Sequence, residues 1–265
     1  DNGISIDGDV KGWCADDTPA RFEAYGWNVI RAVDGHDAAA VAAAIDKAVQ
    51  EKTRPTLICC RTVIGWGAPT KAGSKSTHGE ALGAEEIAGA RKKLEWDSPP
   101  FVIPPPISAA WDQRARGGAA EADWQARLAA YAKAHPDLAA ELQRRLDGRL
   151  PANWEQVAHG ALDAALAVNA PQATRVSSQV ALNAIGPALG ELVGGSADLS
   201  GSNNTFRKDS KAVTPADASG NYINYGVREF GMTAIMNGMA LHGGFRPYAG
   251  TFLVFSDYAR NAVRM

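Results

Sequence analysis

The chain has 265 residues, 46% of them apolar, with 27 Gly and 14 Pro, enough for two ordinary domains with real cores, which excludes disorder over most of its length. Lys and Arg number 27 against 29 Asp and Glu, a formal net charge of -2, so no global basic field draws the chain to nucleic acid or to an anionic membrane surface. Three cysteines, Cys14 alone and Cys59 beside Cys60, form neither a disulfide framework nor a zinc site of ordinary spacing and fit a reducing cytoplasm, and no apolar run approaches the roughly 18 residues of a membrane span.

The first 65 residues alternate helical and strand patterns, which argues for βαβ units and a mostly parallel sheet. Thr18 and Pro19 start a helix that Gly26 stops, WNVIRAVDG reads as a strand, and Asp37 opens an Ala-rich helix with Val41, Ile45 and Val49 on one stripe. PTLICCRTVIG follows as a strand suited to burial on both faces. The stretch from Gly65 to Gly83 has no periodicity, and a loop that long inside a domain is usually functional or mobile. A helix from Gly83 to Trp96 leads into DSPPFVIPPP, where stacked prolines predict extended connecting backbone. Residues 107 to 147 read as helical with a break at RGGAA, and DGRLPANW marks a boundary. Beyond it come helices, a strand into a loop at ELVGGSADLS, a loop into a helix at NYGVREFGMTAIMNGMALHGG, and a helical pattern in TFLVFSDYARNAVRM. The polar start DNGISIDG carries no initiator Met or signal core, so the chain reads as cut from a longer protein.

Taken singly, the polar candidates have ordinary readings. DNG is a turn sequence, His78 a solvated loop histidine, Glu229 a first-turn acid favoured by the helix dipole, and Arg175 a surface residue of a helix start. Phe252, Phe255 and Tyr258 recur at helical spacing, the pattern of core residues. Asn2 and Ile4 stand on one side of a short extended turn, where a side-chain amide and a main-chain carbonyl can give a hard cation two neutral oxygens.

The combination is more specific. DNGISIDG, IGWGAPTKAGSKSTHGEALG, GGSADLSGSN, NYGVREFGMTAIMNGMALHGG and TFLVFSDYARNAVRM, in this order, resemble the transketolase family of thiamine-diphosphate enzymes. The resemblance implies an α/β fold of mostly parallel sheets with helices on both faces, in two incomplete domains. Residues 1–147 would be the later part of the diphosphate-binding domain plus linker, and 148–265 the first part of the pyrimidine-binding domain. It implies transfer of a two-carbon ketol unit from a ketose phosphate to an aldose phosphate in the pentose phosphate pathway, using thiamine diphosphate and Mg²⁺ or Ca²⁺. A related ketol-transferring enzyme such as dihydroxyacetone synthase, or a non-catalytic piece, are the alternatives.

Residue by residue, the resemblance makes Asn2 and Ile4 metal ligands, Ile4 through its backbone, with Ile6 and Ile64 walling the thiazolium. Glu229 becomes the glutamate that hydrogen-bonds the aminopyrimidine, and Phe255, with Phe252 and Tyr258, the aromatic pocket for that ring. His78 stands near cofactor and reacting hydroxyls, Arg175 and Ser202 hold the sugar phosphate, and Asp198 touches cofactor or substrate. The family's Gly-Asp-Gly element would precede Asn2, so the chain by itself is expected to hold part of a site and to be inactive. A homodimer with each active site between subunits is also implied.

Overall fold

In the computed structural model, which describes residues 1–265, the chain divides into two units, Asp1–Asp112 and Gln113–Met265. The first opens with an antiparallel hairpin, β1 (Ile4–Ser5) and β2 (Gly8–Asp9), with Ile4 opposite Asp9. Helix α1 (Thr18–Ala24) starts where expected, because the Asp17 carboxylate accepts the Ala20 N–H and Pro19 fits the first turn. Strand β3 (Asn28–Asp34), helix α2 (Ala38–Gln50) and strand β4 (Thr56–Arg61) then form a βαβ unit, with Asp37 capping α2 and the two strands parallel. The ladder shifts register between Ile30 and Val33, at Ala32, which takes a left-handed φ of 56°.

Three expectations fail in this unit. Strand β4 is half-buried rather than sealed on both faces, since its sheet has two strands and β3 is its one neighbour. On α2 the Val41, Ile45 and Val49 stripe is not the core face: Ile45 is 49% and Val49 60% exposed, and the small Ala44 is the helix's buried residue. Past the loop from Gly65, which holds a short 3₁₀ turn at Lys75–Thr77, come α3 (Ala84–Lys93) and α4 (Pro105–Trp111). The last prolines of DSPPFVIPPP therefore begin a helix rather than prolonging an extended connector, as a missing N–H is harmless in a first turn.

In the second unit α5 (Arg114–Ala134) runs unbroken through RGGAA, correcting the expected break. The interruptions fall at Asp112–Gln113 and at His135, ahead of Pro136, which opens α6 (Pro136–Leu146). Helices α7 (Trp154–Leu166) and α8 (Thr174–Ile185) pack together and lead to a parallel sheet. Its middle strand, β5 (Leu192–Ser196), is buried at every position. On one side it pairs with β6 (Tyr222–Asn224) and on the other with β7 (Arg246–Pro247). Helix α9 (Ser200–Asn203) follows β5, α10 (Glu229–His242) follows β6, and α11 (Ser256–Arg264) closes the chain. A side chain at Gly194 or Gly195 would collide with Tyr248 or Tyr225, so the two glycines let tyrosines lie directly on the central strand.

Within the Gln113–Met265 unit, α6 is tied to the second sheet. Glu191, 2% exposed just before β5, receives both Arg144 Nη atoms at 3.0 and 2.8 Å, with Arg246 Nε 3.5 Å away. Burial pushes its carboxyl up, but the hydrogen bonds and charge of Arg144 and the charge of Arg145 outweigh it and hold the group below the usual range. Glu141, bonded by Arg144 and Arg145, is held down to about 2.

Both acids are lower in the folded state than in the unfolded chain. Their contribution is therefore complete above the ordinary glutamate value of 4.5 and lost as pH falls toward the folded values. Glu191→Ala takes one of two carboxylates from the largely buried Arg144, which keeps Glu141, and is expected to cost about 1–3 kcal/mol at pH 7. Glu191→Gln should flatten the acid limb of a stability-against-pH profile; denaturant titrations between pH 2 and pH 7 check both, and an unchanged acid limb would remove the cluster from the stability account.

Candidate active site

The first unit holds a cleft of about 700 Å³ lined by Asn2, Gly3, Ile4, Asp9, Asp34 and His36 among others. Asn2 reaches it because the chain turns sharply there. Its Oδ1 accepts the Ile4 N–H at 2.9 Å, Gly3 takes a φ of 69°, and the Thr62 N–H bonds the Asp1 carbonyl at 3.0 Å, fixing the turn to the end of β4. The cleft thus gathers both sequence-predicted metal ligands. Its oxygens are an amide, main-chain carbonyls and the carboxylates of Asp9 and Asp34, a hard donor set suited to Mg²⁺ or Ca²⁺ rather than a soft metal. No group of three or more His, Cys, Asp and Glu side chains forms a complete metal cage.

Ile6, at the tip of the β1–β2 hairpin, and Ile64 do not line this cleft; Ile6 is exposed and Ile64 half-buried. His78 also lies outside its lining, exposed at the end of the Lys75–Thr77 turn. The turn is held by its own loop: the Ser74 hydroxyl donates to the Lys71 carbonyl at 2.7 Å, the Thr77 hydroxyl to the Ser74 carbonyl at 2.8 Å, and the Lys71 ammonium to the Leu82 carbonyl at 2.8 Å.

The second unit holds a cleft of about 650 Å³ that brings together Arg175, Ser202 and Phe252, three residues far apart in sequence. Arg175 comes from the first turn of α8, Ser202 from α9, and Phe252 from the segment after β7. Asp198, exposed in the β5–α9 loop with a left-handed φ of 62°, does not line it.

Glu229 opens α10 and is 7% exposed. Its Oε1 accepts the Thr251 hydroxyl at 3.2 Å, from the segment that lines the Arg175–Ser202 cleft. The adjacent cation does not neutralise it, since the Arg228 guanidinium turns to the Tyr225 carbonyl at 2.9 Å. Helix α10 packs on α11, and at the start of α11 stand the rings of Phe252 and Phe255, just ahead of it, and of Tyr258 in its first turn. Their centroids are 5.8 and 6.1 Å apart with interplanar angles of 29° and 34°. Phe252 and Tyr258 are exposed and Phe255 half-buried, so the helical spacing marks an open aromatic ladder rather than the core it ordinarily signals.

Several supporting groups carried no sequence signal. His36 stacks on Trp66 at 4.0 Å and its Nε2 accepts the Val63 N–H at 2.8 Å, ordering the backbone beside Ile64. Thr251 and Asn203, which line the second cleft, and Ser196 and Tyr222, which do not, form the hydrogen bonds around it. A buried polar residue can be sought in GNYINYG, where Tyr222 falls in a strand between asparagines, but the sequence does not show that its hydroxyl is paired.

Residues 1–151 match the family model of the transketolase thiamine diphosphate binding domain, and residues 170–265 that of the transketolase pyrimidine binding domain. The plasmid transketolase of Cupriavidus necator is 58% identical over all 265 residues, and transketolase 1 of Vibrio cholerae 59%. The chain spans 39% and 40% of the length of these relatives. Among solved structures, a transketolase of Pichia stipitis in complex with sedoheptulose 7-phosphate has a TM-score of 0.85 at 40% identity, covering 100% of this chain and 40% of that one. The transketolase of Leishmania mexicana has a TM-score of 0.83 at 33% identity, covering 99% and 39%.

Gly65 has a φ of 65°, and a Cβ there would lie 2.7 Å from Thr77 Cγ2. Gly65→Ala must therefore push the Thr77–His78 turn outward by about 1 Å to restore ordinary contact. A crystal structure of the variant checks this, and an unmoved turn would show that the loop does not depend on that approach.

Proposed function

The chain belongs to the transketolase family, and from that premise we propose that it supplies diphosphate-binding and pyrimidine-binding elements of an enzyme moving a two-carbon ketol unit from a ketose phosphate to an aldose phosphate. The observation that carries this reading is the setting of Glu229, buried at a helix start with a hydroxyl on Oε1 and no cation on either oxygen. Thiamine diphosphate, when bound, supplies the nucleophilic carbon for the transfer. Glu229 would hold a proton at the ring nitrogen of its aminopyrimidine, and Phe255, between Phe252 and Tyr258, would stack on that ring.

Asn2 and the Ile4 carbonyl would hold Mg²⁺ or Ca²⁺ against the diphosphate, their neutral oxygens adding no repulsion to its charge. Ile6 and Ile64 would keep water from the thiazolium. His78 would move a proton at a substrate hydroxyl as the carbon–carbon bond breaks, and Asp198 would contact cofactor or substrate. Arg175 and Ser202, which share one cleft, would take the phosphate, the guanidinium by a charged fork and the serine by its hydroxyl.

The same reading takes 1–147 as part of the diphosphate-binding domain plus linker and 148–265 as part of the pyrimidine-binding domain. It pairs two copies as a homodimer, so that Asn2 and Glu229 of one chain serve different sites. No helix is long and apolar enough to cross a membrane. The free thiols of Cys14, Cys59 and Cys60 suit the reducing cytoplasm this reading assigns.

In the complete enzyme, Glu229→Gln keeps the shape of the buried side chain but cannot exchange the proton, so turnover should fall about 100-fold or more. Near wild-type turnover with unchanged cofactor affinity would overturn the assignment. Arg175→Ala should weaken ketose phosphates by about 1.5–3 kcal/mol, roughly tenfold to a hundredfold in KM, while sparing unphosphorylated hydroxypyruvate. Steady-state kinetics on the two donors check it, and equal losses would move Arg175 out of the phosphate site.

A further inference from the structure

Along the wall of the Arg175–Ser202 cleft, which Asn203, Thr205 and Gly250 help to line, a line of hydrogen bonds joins β6, α9 and the segment after β7. Tyr222, fully buried in β6, places its hydroxyl 2.6 Å from Ser200 Oγ and 2.7 Å from Thr205 Oγ1. Thr205 Oγ1 stands 2.9 Å from Asn203 Oδ1, Asn203 Nδ2 donates to Ser196 Oγ at 3.0 Å, and Ser196 Oγ donates to the Gly250 carbonyl at 3.1 Å. Ser196 Oγ also accepts the Leu199 N–H at 3.0 Å.

The directions of these bonds follow from counting hydrogens. Thr205 gives its single hydroxyl hydrogen to the Asn203 oxygen, so toward Tyr222 it can only accept. Tyr222 therefore donates to Thr205, and toward Ser200 it can only accept, which makes Ser200 the donor. Asn203 is fixed in one amide orientation, because its oxygen faces a donor and its nitrogen an acceptor. The line thus runs one way, from Ser200 through Tyr222, Thr205, Asn203 and Ser196 to Gly250. Each bond polarises the next, most strongly its immediate neighbours, so removing the Tyr222 hydroxyl falls first on Ser200 and Thr205 on either side of Ser202.

Its anchor points explain what it holds. Ser200 and Asn203 are the two ends of α9, and Ser202 lies between them. The far end, Gly250, begins the segment whose Thr251 bonds Glu229 and whose Phe252 lines the cleft. The approach is close, since a Cβ on Gly250 would lie 2.6 Å from Thr205 Cγ2 and 2.9 Å from Asn203 Nδ2. The Tyr222 ring packs edge-on against Phe206 at 4.9 Å, a contact that phenylalanine would keep, whereas both partners of its hydroxyl flank the segment that carries Ser202.

We infer that Tyr222 is a positioning residue for the phosphate end of the substrate, and that its hydroxyl makes the enzyme prefer phosphorylated over unphosphorylated ketol donors by fixing α9 with Ser202. The inference rests on the phosphate role proposed above for Arg175 and Ser202.

The test is steady-state kinetics of the complete enzyme with a ketose phosphate and with hydroxypyruvate, comparing Tyr222→Phe with Ser202→Ala. For Tyr222→Phe, KM for the ketose phosphate should rise about three- to tenfold, while KM for hydroxypyruvate and both kcat values stay at wild type. Thr205→Val, which breaks the line at its next member, should repeat that selective loss, and Thr205→Ser, which keeps the hydroxyl, should restore the wild-type ratio. Equal changes on both donors, or a lowered Tm with an unchanged KM ratio, would leave Tyr222 a packing residue and overturn the inference. Selective loss in Ser202→Ala without it in Tyr222→Phe would also overturn it, leaving the phosphate site intact. If Ser202→Ala itself shows no selectivity, the phosphate assignment is at fault and the inference falls with it.

Discussion

The burial of β5 is the constraint on which the second unit depends. A strand sealed along its whole length must satisfy its backbone through β6 and β7, and it can carry only small or apolar side chains. Leu192 to Ser196 meets both demands, and its glycines admit Tyr225 and Tyr248. The carboxyl end of a parallel strand then necessarily opens into loops at one edge of the sheet, the place where α/β folds bind ligands. Asp198 and Ser202 follow β5, Glu229 follows β6, and Thr251 and Phe252 follow β7. Residues up to 54 positions apart thus meet because three strand ends are adjacent, as the Ser196–Gly250 bond shows.

Two glutamates of this unit are buried, and their surroundings separate their roles. Glu191 receives a bidentate guanidinium and stands near two further arginines, which outweigh its burial and hold its carboxyl below the usual range. Glu229 is also buried, yet it meets a threonine hydroxyl, and its neighbouring arginine is drawn away by a main-chain carbonyl. One carboxylate is paired with arginines and holds α6 on the sheet; the other carries a threonine hydroxyl and no cation. Burial alone does not distinguish them, and the position of the nearest cation does.

Much of this was legible in the sequence for physical reasons. Thr18 and Pro19 start α1, Asp37 caps α2, and ELVGGSADLS runs from strand into loop. Local chemistry fixes these features. The stripe on α2 misled because a 3.6-residue period reports an apolar face but not what covers it, and the helix meets its strands through Ala44. RGGAA misled because two glycines cost a helix of 21 residues only about 2 kcal/mol, less than a true terminator such as the Pro136 position. The motif residues of the site were legible as types, whereas the groups that hold them were not. Thr251 and Tyr222 look like any threonine and tyrosine until distant strand ends bring their hydroxyls to a partner.

The two clefts are held by different means, and the difference suits different tasks. Around Ser202 the bonds are part-buried or buried, link several elements and share their polarisation, so local opening must break them together. Around His78 the part-buried bonds are short-range and run within one loop, and Thr70 and Glu86 tie its flank through an exposed pair. Such bonds open one at a time at small cost. A group that recognises a fixed phosphate gains from rigidity, because every degree of freedom already lost is one that binding need not remove. A group that must follow a proton while a carbon–carbon bond breaks gains from being able to shift by fractions of an ångström. On the function proposed above, Ser202 over a sealed sheet would have the first, and His78, on a loop held by local bonds and by Glu86 of α3, would have the second.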